Sequence, residues 1–227
     1  MPVVDIHHAA DLVNTDSNGI AGQTIHNYLN DLADGTAAPG GGSAAALAGA
    51  LAAALCAMAA KLTLKRLSDP ELCRRMNDAV MDADTLVDIL MSLADQDVHA
   101  YTRVMAAYRL PADSEDNRRI RSEAVQSALH TATTVPMELL YALSEAVHPL
   151  RIVLDHGNIH CRDDVGVALR LLRCAAQSAS ANIRANLKQL SDPRIVSEIQ
   201  NTYVGISDEV TKSMADLNRR YFEEDAP

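Results

Sequence analysis

The chain of 227 residues has no tryptophan, one phenylalanine and an aromatic content of only 3%. A β-sandwich or barrel draws on β-branched and aromatic residues for its half-buried strands, and no run here alternates long enough to make one. So few rings also leave nothing on which bases could stack, and a formal charge of −10 opposes a polyphosphate partner. Nucleic-acid binding is therefore excluded. Cysteine is scarce as well. Cys56, Cys73, Cys161 and Cys174 stand far apart with no CxxC pair, and no signal-peptide pattern follows Met1. Buried, reduced thiols in a cytoplasmic protein are the expectation.

What is abundant is alanine and leucine, with methionine, arginine and glutamate, inside a hydrophobic fraction of 48%. These residues favour helix. The expected fold is all-α: one domain built as a bundle of long helices over 23–227, preceded by a polar arm over 1–22 that contains His7 and His8. The spacing predicts a helix from Thr24 to Asp34, stopped by Gly35. A proline-glycine turn, Pro39 to Gly42, then leads into an alanine-rich helix with Ser43 as its N-cap. "SDPE" at 68–71 starts a helix that continues to about Leu110. Ser114 or Asp116 caps another over about 118–155, which Pro136 and Pro149 should kink or divide. A loop through Gly157 and Asn158 precedes a helix from Asp164 to about Leu190. A second "SDP" at 191–193 opens the last helix, ending near Tyr221.

The uncharged run from Ser43 to Ala60 resembles a membrane span in length. Alanine drives insertion weakly, however, and Lys61 closes the run, so a helix buried in protein is expected and no membrane partner. Its small residues, Ala44, Ala48, Gly49, Ala52 and Ala53, permit close approach of a second helix, within the chain or across a subunit boundary.

Several residues carry possible chemistry. The PGGGS turn at 39–43 lacks the lysine of a nucleotide-binding P-loop and the preceding strand of a dinucleotide fold. It reads either as a plain turn or as a set of free N–H groups at a helix N-terminus. Asp97 falls on the stripe of Leu90, Leu93, Tyr101 and Val104. A carboxylate there is either hydrogen-bonded to a buried neighbour or desolvated for acid/base work. Asn182 and Asn186 lie one turn apart and can fix a planar polar ligand or pair across helices. Asp164 shares their helix but stands about 27 Å away along it, so one small ligand meets both only if the helix breaks or a second subunit contributes. His156, His160, Cys161 and Asp163 crowd one loop without a firm ligand motif, and no metal site is expected.

Five stretches in order, "YLNDLADGTAAPGGGSAAALAGALAAAL", "ADQDVHAYTRVMAAYRLP", "ALHTATTVPMELL", "GNIHCRDDVGVAL" and "SANIRANLKQLSD", resemble the cyclodeaminase/cyclohydrolase family of folate enzymes over about Thr24 to Leu217. The resemblance implies an all-helical homodimer that acts on a tetrahydrofolate derivative. It would act as a formimidoyltetrahydrofolate cyclodeaminase or a methenyltetrahydrofolate cyclohydrolase, with no cofactor beyond the folate itself. A formiminotransferase partner that supplies substrate fits the same picture. Carried over by position, the resemblance implies catalytic roles for Asp97 and Asp164. It implies substrate contacts from Pro39, Gly40, Gly41, Gly42, Ser43, Asn182 and Asn186; separately, Lys61, with Lys65, Arg66 and Lys188, is a candidate basic contact for the folate tail. The chain departs from the family pattern after "LT", where "LTLKRLSDPEL" has Lys65 and Arg66 but lacks a glycine and a ring. The contrasting expectation is a non-catalytic helical dimer that binds folate or protein.

Overall fold

The computed structural model describes residues 19–223, so most of the arm at 1–22 lies outside the described residues. Helices follow one another along the chain: α1 Ile25–Ala33, α2 Gly41–Leu64, α3 Pro70–Tyr108, α4 Glu115–Glu145, α5 Val147–His156, α6 Arg162–Leu187 and α7 Pro193–Glu223. Short 3-10 turns stand at Ile20–Gly22 and Ile159–Cys161, and no strand occurs among the described residues.

The alanine-rich α2 is the centre of the bundle, packed most extensively on α3 and next on α6. It is long and apolar enough to cross a bilayer, and 61% of its most apolar window is buried inside the protein. Small side chains make this packing close. A Cβ on Gly49 would stand 2.7 Å from Leu143 Cδ2 of α4 and 3.4 Å from Leu90 of α3. The close approach predicted from the small residues is thus made within the chain at this point. Substituting Gly49→Leu should lower unfolding free energy by about 3 kcal/mol, the upper end of an overpacked core, measured by urea denaturation. Wild-type stability in that variant would show that Leu143 and Leu90 have room to yield.

The helix starts follow local capping chemistry. The hydroxyl of Thr24 accepts from Asn27 N–H, the Asp69 carboxylate from Glu71 N–H, and the Ser114 hydroxyl from Asn117 N–H. Gly35, at φ 74°, ends the first helical segment in the left-handed region.

Three expectations are corrected. Ser43 is not the N-cap of α2. Gly40 is, and Ser43 sits one turn inside, where its hydroxyl donates to Gly40 C=O at 2.9 Å and lies 3.3 Å from Gly40 N–H. The helix predicted over 118–155 is not divided at Pro136; it divides at Ala146, beside Pro149 as expected. Pro149 has no N–H for the carbonyl of Glu145, so the chain restarts and places the proline in the first turn of α5, where that N–H is not needed. The cysteines are free, but only Cys56 and Cys161 are buried, while Cys174 is exposed. Burial, with Asp82 nearby, pushes the Cys56 thiol up to about 12, so it remains an inert core side chain.

Two anchors fix the ends of the bundle relative to the site. Buried Asp95 of α3 accepts from Ile20 N–H at 2.5 Å. At the other end of α2, the Thr63 hydroxyl accepts from Asn158 N–H at 2.8 Å and holds the loop that leads into α6.

Candidate functional site

The glycine turn enters α2 directly against α3. Helix α2 leaves its first N–H groups without helical partners, and that of Ser43 donates to Asp97 Oδ2 at 2.9 Å. The carboxylate lies so close to the backbone of Gly42 that a Cβ there would collide with both of its oxygens. The turn therefore needs glycine at 42, with no left-handed φ involved: the missing Cβ is where Asp97 stands. At Gly41 a Cβ would meet nothing within 4 Å. The Ser43 hydroxyl, besides closing the turn, lies 3.2 Å from the hydroxyl of buried Tyr28 in α1. Helix α1 thus braces the turn from behind.

Asp97 is half-buried, and its pKa is raised above the ordinary carboxylate value of 3.8. Desolvation is the larger cause, and the hydrogen bond from Ser43 N–H partly opposes it. The group therefore holds a proton more readily than a carboxylate in water, as a general base and acid requires.

Asp97 opens into a cleft of about 360 Å³ whose walls come from the glycine turn, α3, α4 and α6. Ala37, Ala38, Gly40, Gly41 and Gly42 form one side, and Ala100, Tyr101, Val104, Met105 and Tyr108 continue the Asp97 face of α3. Leu129 and Ala132 come from α4, with Asn182, Asn186 and Gln189 opposite. The amide nitrogen of Asn186 donates to Ala132 C=O at 2.8 Å. A cleft of this size holds a bicyclic ring system, and its polar groups converge from two sides.

Most of the predicted site residues thus come together: Gly40, Gly41, Gly42, Asp97, Asn182 and Asn186 line one cleft, with Ser43 tied to Asp97 and Pro39 in the turn. Asp164 and Lys61 do not join them. Asp164 lies in the first turn of α6, and the helix is unbroken from there to the asparagines. Lys61, near the far end of α2, makes an ion pair with Asp84 at 2.8 Å, both side chains about half exposed. Among the described residues, no group of three or more His, Cys, Asp or Glu side chains is placed to hold a metal ion.

The family model described as formiminotransferase-cyclodeaminase matches residues 24–204, a span that includes every residue lining this cleft. The chain belongs to that family. It is 32% identical over 201 residues to a methenyltetrahydrofolate cyclohydrolase of Methylorubrum extorquens, covering 88% of this chain and 95% of the relative. To a formimidoyltransferase-cyclodeaminase of Gallus gallus it is 28% identical over 200 residues, which is 88% of this chain but only 37% of the chicken protein. The crystal structure of a formiminotetrahydrofolate cyclodeaminase from Thermotoga maritima superposes with a TM-score of 0.81 at 23% identity, covering 91% of this chain and all of that one. The all-helical architecture is therefore that of the formiminotransferase-cyclodeaminase family.

Residues the sequence reading missed share the cleft of this family member. The helical stripe names Tyr101 and Val104 only as neighbours of Asp97, yet both line the cleft. Tyr108 extends the same stripe by one more turn, so the helical period alone could have named it. Gln189 and Ala132 carried no local signal.

Proposed function

We propose that the chain is a folate one-carbon enzyme that interconverts derivatives of tetrahydrofolate at the carbon bridging N5 and N10, with Asp97 as the proton-transfer group. The observation that carries this reading is the half-buried Asp97 carboxylate, its proton affinity raised by desolvation, fixed by Ser43 N–H beside a cleft of pteridine size.

In the hydrolytic direction, water adds to the methenyl carbon of the 5,10-methenyltetrahydrofolate cation while Asp97 takes one of its protons. The C–N5 bond of the tetrahedral adduct then breaks, N5 receives that proton, and the remaining hydroxyl releases its own proton to solvent. The product is 10-formyltetrahydrofolate. In the deaminating reaction N10 of 5-formimidoyltetrahydrofolate attacks the formimidoyl carbon. With the formimidoyl nitrogen protonated as an amidinium, Asp97 takes the N10 proton and returns it to the resulting NH2 group; the C–N bond breaks, ammonia leaves and the 5,10-methenyltetrahydrofolate cation remains. Tyr101 and Tyr108 offer flat apolar walls to the ring system, and Asn182 and Asn186 face it with amides. Asp164 can reach such a cleft only from a second copy of the chain, and a homodimer is part of the proposal. The match along nearly the whole length of a cyclohydrolase favours water as the nucleophile over a formimidoyl substrate.

Two assays on the full chain decide the matter. Loss of methenyl absorbance faster than the uncatalysed rate is expected with 5,10-methenyltetrahydrofolate. Ammonia release from 5-formimidoyltetrahydrofolate would identify the deaminase instead. Binding of tetrahydrofolate with neither turnover would leave a non-catalytic folate-binding protein and end the catalytic reading.

A further inference from the structure

The stretch "TATTVPMELL" places a proline inside α4, where it is buried and the helix continues without a break. Proline has no N–H, so Pro136 cannot supply the helical hydrogen bond to the carbonyl four residues earlier, that of Ala132. Neighbouring threonines fold back onto other carbonyls of this turn. Thr131 donates to Ser127 C=O, Thr133 to Leu129 C=O and Thr134 to His130 C=O. None of them serves Ala132. Its carbonyl instead accepts from the side-chain amide of Asn186 in α6, at 2.8 Å.

We propose that Pro136 is a positioning residue of the cleft: by withholding its N–H it frees the Ala132 carbonyl, and that carbonyl sets the orientation of the Asn186 amide. The assignment of the amide follows from chemistry. A carbonyl oxygen can only accept, so the nitrogen of Asn186 must face Ala132. The oxygen of Asn186 is then the end left to the ligand. Together with the Asp97 carboxylate, it gives the cleft two acceptors supplied by different helices. Such a pair selects a planar ligand edge that carries N–H donors, as the amino-lactam edge of a pterin does, and disfavours an edge of carbonyl or carboxylate oxygens. This inference deepens the folate reading in naming the ligand edge, whereas the link from Pro136 to Asn186 stands on geometry alone.

The test restores the missing donor. Pro136→Ala returns an N–H to the Ala132 carbonyl, and Pro136→Val does so with more of the side-chain volume kept. Unchanged helical circular dichroism establishes that the variants fold, and agreement between them guards against a packing artefact. In the isotope-labelled full chain, solvent exchange of the Asn186 side-chain amide protons, assigned with Asn186→Ala, should speed by at least about tenfold in both variants, the loss of one hydrogen bond. Affinity for tetrahydrofolate, measured by calorimetry, should fall by about tenfold in Pro136→Ala. It should fall no further when Pro136→Ala is added to Asn186→Ala, because both changes act through one amide. Unchanged amide exchange, or an equal affinity loss in the two backgrounds, overturns the positioning role. Absence of tetrahydrofolate binding by the wild-type chain would overturn the folate reading, and the amide exchange would still decide the role of Pro136.

Discussion

Replacing Asp97 by asparagine is expected to slow turnover of the folate substrate by at least about 100-fold, the usual contribution of a general acid/base, while the protein becomes more stable at neutral pH. Both effects have one origin. The pKa of Asp97 is raised by desolvation, which means that the folded protein disfavours its charged form. A carboxyl group whose folded pKa lies above its unfolded value favours the fold fully below the unfolded pKa. That contribution is lost as pH rises through the folded pKa. Above the ordinary carboxylate range Asp97 is therefore a burden on the fold. Asparagine removes the charge yet retains a carbonyl oxygen to accept from Ser43 N–H, so the turn survives. The stability gain of Asp97→Asn should be absent well below pH 3.8 and grow as pH rises above it. Thermal melts across that range measure it. In the wild type, the acid limb of the rate profile should fall at a pH higher than an ordinary carboxylate would give. Near-normal turnover by Asp97→Asn would remove this residue from the mechanism.

The second large effect concerns a hydrogen atom. Gly42→Ala places a methyl group where the Asp97 carboxylate now stands. Helix propensity alone would welcome alanine there, by roughly 1 kcal/mol. The carboxylate must move, however, and its bond from Ser43 N–H breaks with it. Breaking a hydrogen bond to a charged group costs about 1.5–3 kcal/mol, so the net change is a modest destabilisation. The catalytic change is larger. A catalytic group displaced by about 1 Å typically loses about 100-fold in rate. Gly41→Ala is the matched control for stability, because its Cβ meets nothing within 4 Å, and it should melt at or above the wild-type temperature. Equal rates for wild type and Gly42→Ala would show that the carboxylate does its work from another position.

These two residues also show what the sequence can disclose. Asp97 was legible because a lone carboxylate interrupts an apolar stripe, and a helical period is enough to find it. The helix starts at Thr24 and Ser114 and the stop at Gly35 were legible because local chemistry within one turn sets them, whereas the capping box read in "SDPE" puts the cap at Ser68 and the structure puts it at Asp69. The cap of α2 was not legible. Gly40 rather than Ser43 starts that helix because Asp97, far along the chain, occupies the space beside Gly42 and takes the Ser43 amide. No window around residue 43 contains that information. Pro136 misled for a similar reason. The local rule says that proline disrupts a helix, and the compensating donor, Asn186, belongs to a different helix. The division at Ala146 follows from Pro149, although the rule fixes the proline more securely than the break. Asp164 marks the other limit. Its place on an unbroken α6 puts it at the opposite end from Asn182, and nothing within a single copy of the chain brings the two together.

One turn of α3 grips two remote pieces of backbone, Ile20 through Asp95 and Ser43 through Asp97. The entry of the chain and the mouth of the cleft are therefore fastened to the same rivet. Anyone who shortens this protein, or grafts another module ahead of it, should leave Gly19 and Ile20 untouched, since a side chain at 19 would strike Asp95 and loss of the amide at 20 would strand that carboxylate in the interior. The resulting shift of α3 would be felt first at Asp97, so a cut made for convenience at the N-terminus could be mistaken for an inactive enzyme.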